Sequence, residues 1–454
     1  MLRIQKGLRK IFFRRKKAVF DLYGQLQHNE KLPLEQLYKI QLDKLNRLLT
    51  HAYINVPYYH HLLKESTYLK DNKIQLDAID QLTNLPLLSK VQIKNVKDKI
   101  YSSDIGQRKA FTNASGGSTG VPTEVKQDEQ YLIAEEAGLL QIKNWRGVGP
   151  FDSEIFIWGS PRDTFENKKP LKAWLGDFVR NRIMLNCFKM TPDDIKHYIQ
   201  LLNHHRPAMV RCYVDAIYEI ARYAKKHQLD VVPQKVIHTG AGNLFDYMRF
   251  EIEDVFQCPV YNHYGGREVG HIASECSAHT GLHLFMEHNI VELLNEQGEH
   301  VPDGVEGELV VTNLNNYAMP LIRYRIGDRG IMMPHGECEC GCTYPKLKEI
   351  TGRVGDVFRT INGQTVSPVF FAHLIGVVAK QREIKRYQAI QHDLTRLTLR
   401  IVPEEKDQPL NFEFIIDEIK KVFGNNAEVK IELVDSIEKT VSGKYRYTIS
   451  EVNN

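Results

Sequence analysis

The stretch KAFTNASGGSTGVPTEVKQDEQYLIAEEAGLLQIKNW, Lys109–Trp145, changes pattern three times. KAFTNAS alternates like a strand, GGSTG interrupts it, and VPTEVKQ reads as a second strand. DEQYLIAEEAGLLQIKNW then opens with acids and runs on as a helix. A glycine loop therefore joins two strands. Its composition fits a flexible hairpin turn, and it fits equally a loop whose backbone N–H groups turn inward to hold an anion, with Ser and Thr hydroxyls as extra donors. A Walker A loop ends in Gly-Lys-Ser/Thr; here the residues are Gly120-Val121-Pro122, a poor fit to a P-loop nucleotide hydrolase.

Outward from this loop, apolar strand-like runs at Glu154–Trp158, Ala208–Val214, Val236–His238 and Pro259–His263 alternate with helical runs such as Ala216–His227 and Phe245–Phe256. That alternation predicts an α/β architecture with largely parallel strands. GLHLFMEHNIVELL, GELVVTNL and RGIMMP, further on, predict antiparallel β structure. Upstream, helical spacing over Leu34–His51 is expected to break at Pro57, and Leu82–Tyr101 reads as loop and helix. After EITGRVGDVF the pattern shifts again. An Asn-Gly hairpin signal in VFRTINGQTVSP, a strand in RLTLRIVPEE, a helix in FEFIIDEIKKVFG and a strand in AEVKIELVD predict a small α+β C-terminal domain.

At 454 residues the chain exceeds what one hydrophobic core usually serves, so more than one domain is expected. No run approaches the roughly 18 apolar residues of a membrane span. No apolar segment with a cleavage site follows the basic start, and the cytoplasm is the expected compartment. A net charge of +4 is too small to argue for nucleic acid. The charge is uneven, however: eight Lys or Arg and no acid fall between Arg3 and Lys17, mixed with Leu8, Ile11, Phe12 and Phe13. Residues 1–20 read either as a basic amphipathic helix resting on an anionic membrane, at its inner face, or as a solvated helix docked on its own domain.

Five strings occur in order: SGGSTGVP (Ser115–Pro122), YNHYGGREVG (Tyr261–Gly270), MPLIRYRIGD (Met319–Asp328), TGRVGD (Thr351–Asp356) and SGKYR (Ser442–Arg446). With LLTHAYINVPYYHHLL near the start, they resemble the acyl- and aryl-adenylate-forming (AMP-binding) superfamily. The resemblance is strongest to its branch of phenylacetate-CoA ligases and proteins linked to capsular polysaccharide synthesis. It implies a large N-terminal adenylation domain, 1–352, of parallel sheets with helices plus a β subdomain. It also implies a mobile C-terminal domain, 353–454, that turns on a hinge at 353–356. Gly355 stands where relatives often carry an acid, and a glycine absorbs backbone rotation well.

The chemistry implied is activation of a small carboxylic acid by ATP. A carboxylate oxygen attacks the α-phosphate and pyrophosphate leaves, so two anions must be screened by donors, a lysine and Mg²⁺. By resemblance Ser115, Gly116, Gly117, Ser118, Thr119 and Gly120 hold pyrophosphate. Ala241, Gly242, Asn262, His263, Tyr264 and Gly265 line the nucleotide, with Tyr264 against adenine and Gly242 where relatives often have Glu. Glu268 would bind Mg²⁺, and Arg267, where many members carry Thr, would meet the α-phosphate. Asp328 would accept from the ribose hydroxyls, Arg353 would add a second contact, and Lys444 would be the mobile lysine of adenylation. Coenzyme A is the acceptor expected from the ligase branch. The alternatives are a non-CoA acceptor in cell-surface polysaccharide synthesis and a non-catalytic nucleotide- or membrane-binding scaffold. For the acid pocket, FIWGSPRD and MVRCYVDAIY offer Trp158, Arg162, Arg211 and Tyr213, which suit an aromatic or a polar acid.

Seven cysteines, three of them within HGECECGCTYP, suit thiol or metal chemistry better than disulfides. The resemblance implies structural zinc on Cys276, His283, Cys338 and Cys340; Cys342 stands where relatives usually have Arg and is either spare or an exchangeable ligand. The other reading is reduced surface thiols without metal.

Overall fold

The computed structural model describes residues 16–114, 124–158, 171–187, 190–353, 358–362, 365–366, 370–371, 374–375, 384–405, 412–438 and 445–452. The glycine loop from Ser115 to Gly120, Arg162, the hinge residues 354–356, Lys444 and most of the basic N-terminal segment lie outside them.

Helices α1 (Lys17–Asn29) and α2 (Leu34–Asn55) precede α3 (Pro57–Leu63), in which Pro57 is the first residue. The break expected at Pro57 is thus a restart, because a proline needs no N–H partner in a helix's first turn. Leu45, Leu48, Leu49 and Ala52 of α2, spaced three and four apart, are fully buried in the largest core. Two short strands, β1 (Leu69–Lys70) and β2 (Lys73–Ile74), and helix α4 (Lys90–Val96) lead to the hairpin of β3 (Phe111–Ala114) and β4 (Glu124–Gln127). Helix α5 (Glu129–Trp145) follows, with the Asp128 carboxylate capping the N–H of Tyr131.

An eleven-stranded sheet dominates the large region. Its first half is parallel, in the order β6 (Arg182–Asn186), β5 (Glu154–Trp158), β7 (Met209–Tyr213), β8 (Ile237–Gly240), β9 (Val260–Gly266). Helices α6 (Leu171–Arg180), α7 (Pro192–His205), α8 (Val214–Lys226) and α9 (Asp246–Phe256) lie between these strands in sequence, as parallel pairing requires long crossovers. The second half is antiparallel: β10 (Gly270–Glu275), β11 (Leu282–Leu284), β15 (Lys346–Arg353), β14 (Tyr324–Met332), β13 (Glu306–Asn313) and β12 (Asn289–Leu294). The parallel strands expected from Glu154 to His263 and the antiparallel structure expected after them are both present, and the change of direction falls between β9 and β10. The three-residue turn Arg267–Val269 is too short for a crossover and forces β10 to run back.

A separate four-stranded sheet, β20 (Glu428–Leu433), β19 (Arg396–Pro403), β18 (Ile384–Gln391), β21 (Thr448–Ser450), packs with helix α10 (Glu413–Phe423) around its own apolar cluster. The hairpin of β16 (Phe358–Arg359) and β17 (Thr365–Val366) contributes Phe358 to that cluster and brackets the Asn-Gly turn signal. This region docks on α8. Arg222 donates to the carbonyl of Lys385 (2.8 Å) and pairs with Glu404, and the Tyr447 hydroxyl donates to Asp215 at 2.5 Å.

Candidate active site

The resemblance-derived nucleotide residues converge at the boundary between the two halves of the sheet. Tyr264, near the end of β9, donates its hydroxyl to the Asp328 carboxylate of β14 at 2.7 Å. Asp328 faces Arg353 across the β14–β15 ladder, so both expected ribose-side residues share one register pair. The Arg267–Val269 turn carries Glu268, which is buried and whose carboxylate has no hydrogen-bond or ion-pair partner among the described residues. The glycine-loop hairpin is anchored on this same turn. Gln127 of β4 donates to the carbonyls of Arg267 (2.7 Å) and Glu268 (3.3 Å), and Asn113 of β3 reaches the Arg267 carbonyl at 3.5 Å. Both stems of the loop Ser115–Gly120 thus stand beside Glu268. Ala241 and Gly242 follow β8, with Ala241 at φ +61°. A Cβ on Gly242 would lie 3.4 Å from that of Val214, an ordinary van der Waals contact.

His263 is oriented differently from a simple nucleotide contact. Its Nε2 meets Nδ1 of His271 at 3.0 Å, and its ring lies 5.2 Å from that of His238. His271 in turn approaches Glu135 of α5: its backbone N–H donates to Oε1 (3.0 Å), and Nε2 lies 3.7 Å from Oε2. Arg211 belongs to the same group, since β7 and β8 align Arg211 with His238, and its guanidinium stacks on Phe156 at 4.7 Å. Burial pushes the Glu135 carboxyl up to about 7, against the pull of the His271 N–H and of the Arg211 charge. Burial, aided by the His288 and Arg211 charges, pushes His271 down to about 3; burial holds His238 and His263 well below their ordinary value. The rings are therefore neutral. Nδ1 of His238, Nδ1 of His263 and Nε of Arg211 are shielded from solvent and make no hydrogen bond among the described residues. Each such atom costs about 1–3 kcal/mol if nothing ever pairs with it.

Glycines make room for this cluster. At Gly270, with φ +73°, a Cβ would sit 1.8 Å from Oε1 of Glu135; at Gly138 it would sit 2.9 Å from Nε2 of His288. Of the expected acid-pocket residues, Trp158 and Tyr213 meet edge to face at 4.2 Å, beside Arg211's strand position. Sequence reading did not single out Glu135, His238 or His271. The available signal was a charged residue between Ala134 and Gly138 on the packed face of α5, and a histidine inside the apolar run of β8.

A second cluster lies on β10, β11 and the loop before β15. The ligand atoms of Cys276, His283, Cys338 and Cys340 all lie within 4.8 Å of one another. Sγ of Cys338 is 3.6 Å from Cys276 and 3.4 Å from Cys340, and Sγ of Cys340 is 3.4 Å from Nε2 of His283. A tetrahedral zinc would set sulfurs about 3.8 Å apart and sulfur from nitrogen about 3.6 Å apart. Nδ1 of buried His283 meets the Tyr344 carbonyl at 2.8 Å, which turns Nε2 towards the sulfurs as a metal-binding histidine requires. Cys342 is not a member of the group. It is buried with Leu37, Met286 and Tyr344, and its backbone N–H donates to Sγ of Cys340 at 3.4 Å.

Known proteins extend these observations. A family model described as the CapK C-terminal domain matches residues 358–451. Protein CapK of Staphylococcus aureus is 25% identical over 422 residues, spanning 92% of this chain and 90% of that protein. Phenylacetate-coenzyme A ligase of Aromatoleum evansii is 25% identical over 445 residues, spanning 94% and 97%. Among solved structures, 2-hydroxyisobutyryl-CoA ligase in the postadenylation state, with an acyl-AMP bound, superposes with a TM-score of 0.72 at 19% identity, covering 93% of this chain and 91% of that one. At that identity the likeness speaks for the fold. Over 93% of its length the chain thus has the fold of that acyl-CoA ligase, and in sequence it is similar to CapK and to the phenylacetate-coenzyme A ligases.

Proposed function

We propose that this protein is an ATP-dependent acid ligase that forms an acyl- or aryl-adenylate with release of pyrophosphate, and then passes the acyl group to coenzyme A. The observation that carries the reading is the convergence of the glycine-hairpin stems, Glu268 and the Tyr264–Asp328 pair on one sheet boundary. An acceptor-only carboxylate at Asp328 suits two ribose hydroxyls, and Tyr264 beside it offers a flat face to a base. Glu268 supplies a carboxylate for Mg²⁺, which would neutralise phosphate charge there. Ser115, Ser118 and Thr119 would hold the leaving pyrophosphate, and Lys444 would bridge the carboxylate and α-phosphate as negative charge moves between them. Tyr447, three residues after Lys444 in the sequence, is anchored on Asp215 in the first turn of α8, which supports delivery of that lysine to the site. Residues 353–356 would be the hinge between domains 1–352 and 353–454, and rotation there would exchange the adenylating lysine for the acceptor.

The match of residues 358–451 to the CapK domain favours a second reading of the acceptor step alone, transfer to a non-CoA acceptor in cell-surface polysaccharide synthesis. No helix among the described residues is long and apolar enough to cross a membrane. Contact of residues 1–20 with the inner membrane face would bring such an acceptor within reach. The cysteine–histidine group fits zinc in a closed, structural role, because four protein ligands leave no position for a reactive water.

Mass-spectrometric detection of an acyl-AMP, followed by thioester on addition of coenzyme A, tests the two steps separately. Adenylate without thioester selects the second acceptor reading. Lys444→Ala is expected to lower adenylate formation by about two to three orders of magnitude while the variant stays folded. Wild-type rates in that variant would remove the lysine from the mechanism.

A further inference from the structure

The group formed by Glu135, Arg211, His238, His263 and His271 is larger than the adenylation chemistry needs, and it sits one residue along β9 from Tyr264. It has the features of a receptor. Glu135 and Arg211 lie close enough for each charge to act on the other, yet they form no ion pair with each other. Glu135 lies deep in the fold but keeps 22% of its side-chain exposure, and His271 keeps 11%, so both border space that water can enter. Behind them His238, only 2% exposed, presents an Nδ1 with no hydrogen bond among the described residues, and Nε of Arg211 is shielded and unbonded as well.

The chemistry of this wall selects a ligand group. Arg211 only donates, Glu135 accepts when ionised and also donates when protonated, and each neutral imidazole does one of each. A second carboxylate would meet Arg211 but oppose Glu135, and an ammonium would meet Glu135 but oppose Arg211. A hydroxyl both donates and accepts and brings no charge. An aryl or alkyl chain without one would leave the polar groups unpaired, which is the condition under which a binding site rejects an analogue most strongly. We propose that Glu135, Arg211, His238, His263 and His271 form the acid-side pocket and select a carboxylic acid bearing a hydroxyl group over its unsubstituted analogue. The inference rests on the ligase reading above.

Pyrophosphate exchange with matched acids tests it: lactate against propionate, mandelate against phenylacetate, hydroxybenzoate against benzoate. For at least one pair the hydroxylated acid is expected to be favoured in kcat/KM by about a hundredfold or more. In Arg211→Met and His238→Phe, ATP affinity measured by calorimetry should hold while that preference falls below about tenfold. Equal use of both members of every pair, or a preference unchanged in both variants, would overturn the proposal. So would preference for an amino- or dicarboxylic acid over the hydroxy acids. Exchange with no acid at all, in protein that still binds ATP, would overturn the ligase reading and this inference with it. The wild-type comparison stands even where a variant fails to fold.

Discussion

Two polar clusters, linked through the stacked rings of Trp145 and Phe285, are built in contrasting ways. In the cysteine group every ligand atom lies within 4.8 Å of the others, and His283 is fixed from behind by the Tyr344 carbonyl. In the Glu135–Arg211–histidine group the donors and acceptors are mixed, and the shielded Nδ1 of His238, Nδ1 of His263 and Nε of Arg211 make no hydrogen bond among the described residues. Dense, uniform and closed is the arrangement that holds a structure together; spaced, mixed and open is the arrangement that waits for a ligand. The difference teaches which cluster should fail in stability and which in selectivity.

Cys340→Ser should break that contrast most severely. It removes the sulfur that meets both His283 and Cys338, in a group that ties β10 and β11 to the loop before β15. Zinc content by metal analysis should fall to background and stability by about 4 kcal/mol or more, read as a lower melting temperature. Zinc-free wild-type protein with unchanged melting would assign the group to thiols alone.

Next in size is a pH effect from the other cluster. His238, His263, His271 and His288 all have folded pKa values below that of the unfolded chain, so below about 6.5 the unfolded state binds more protons and stability falls with pH. Each unmatched proton contributes up to about 1.4 kcal/mol per pH unit. Glu135, raised from 4.5 to about 7, opposes them: it takes up its proton in the folded state first and adds stability as pH falls through that range. Four histidines against one carboxyl leave a net loss. Denaturant titrations between pH 7 and 5 (about neutral to mildly acidic) should therefore show falling stability; a flat profile would mean that the rings are not held neutral.

Gly270→Ala should cost about 2 kcal/mol, because the new methyl would collide with Oε1 of Glu135 at a left-handed backbone position. The same variant should erode acid selectivity while leaving zinc in place, which sharpens the separation of the two clusters. Tyr264→Phe should have the smallest effect. Losing one hydrogen bond to Asp328 is worth about 1 kcal/mol, and ATP affinity by calorimetry should weaken by roughly five- to tenfold.

Much of the frame was legible in the chain. The parallel strands and their helices follow from hydrophobic runs of limited length, and the Asn-Gly signal lies between β16 and β17. The change to antiparallel structure was legible, but strand β10 itself was not, because its return along β9 depends on the shortness of the Arg267–Val269 turn rather than on composition. The cysteine group was legible only through resemblance. Spacing alone could not separate Cys342 from Cys338 and Cys340, since it is the fold that brings the last two within 4.8 Å of Cys276 and His283. The histidine group was illegible for a related reason: β7–β8 register and the packing of α5, not local pattern, bring Arg211, His238 and Glu135 together. Arg211 was read as a pocket candidate, but its partners were not.

On the proposed function, the Tyr264–Asp328–Glu268 boundary activates a carboxylic acid with ATP. Pyrophosphate exchange into ATP, measured with and without a panel of carboxylic acids, tests it most directly. The account predicts exchange that requires an acid and Mg²⁺ and is abolished by Glu268→Ala. Folded, ATP-binding protein that exchanges pyrophosphate with none of the acids, or does so equally well without one, would contradict it.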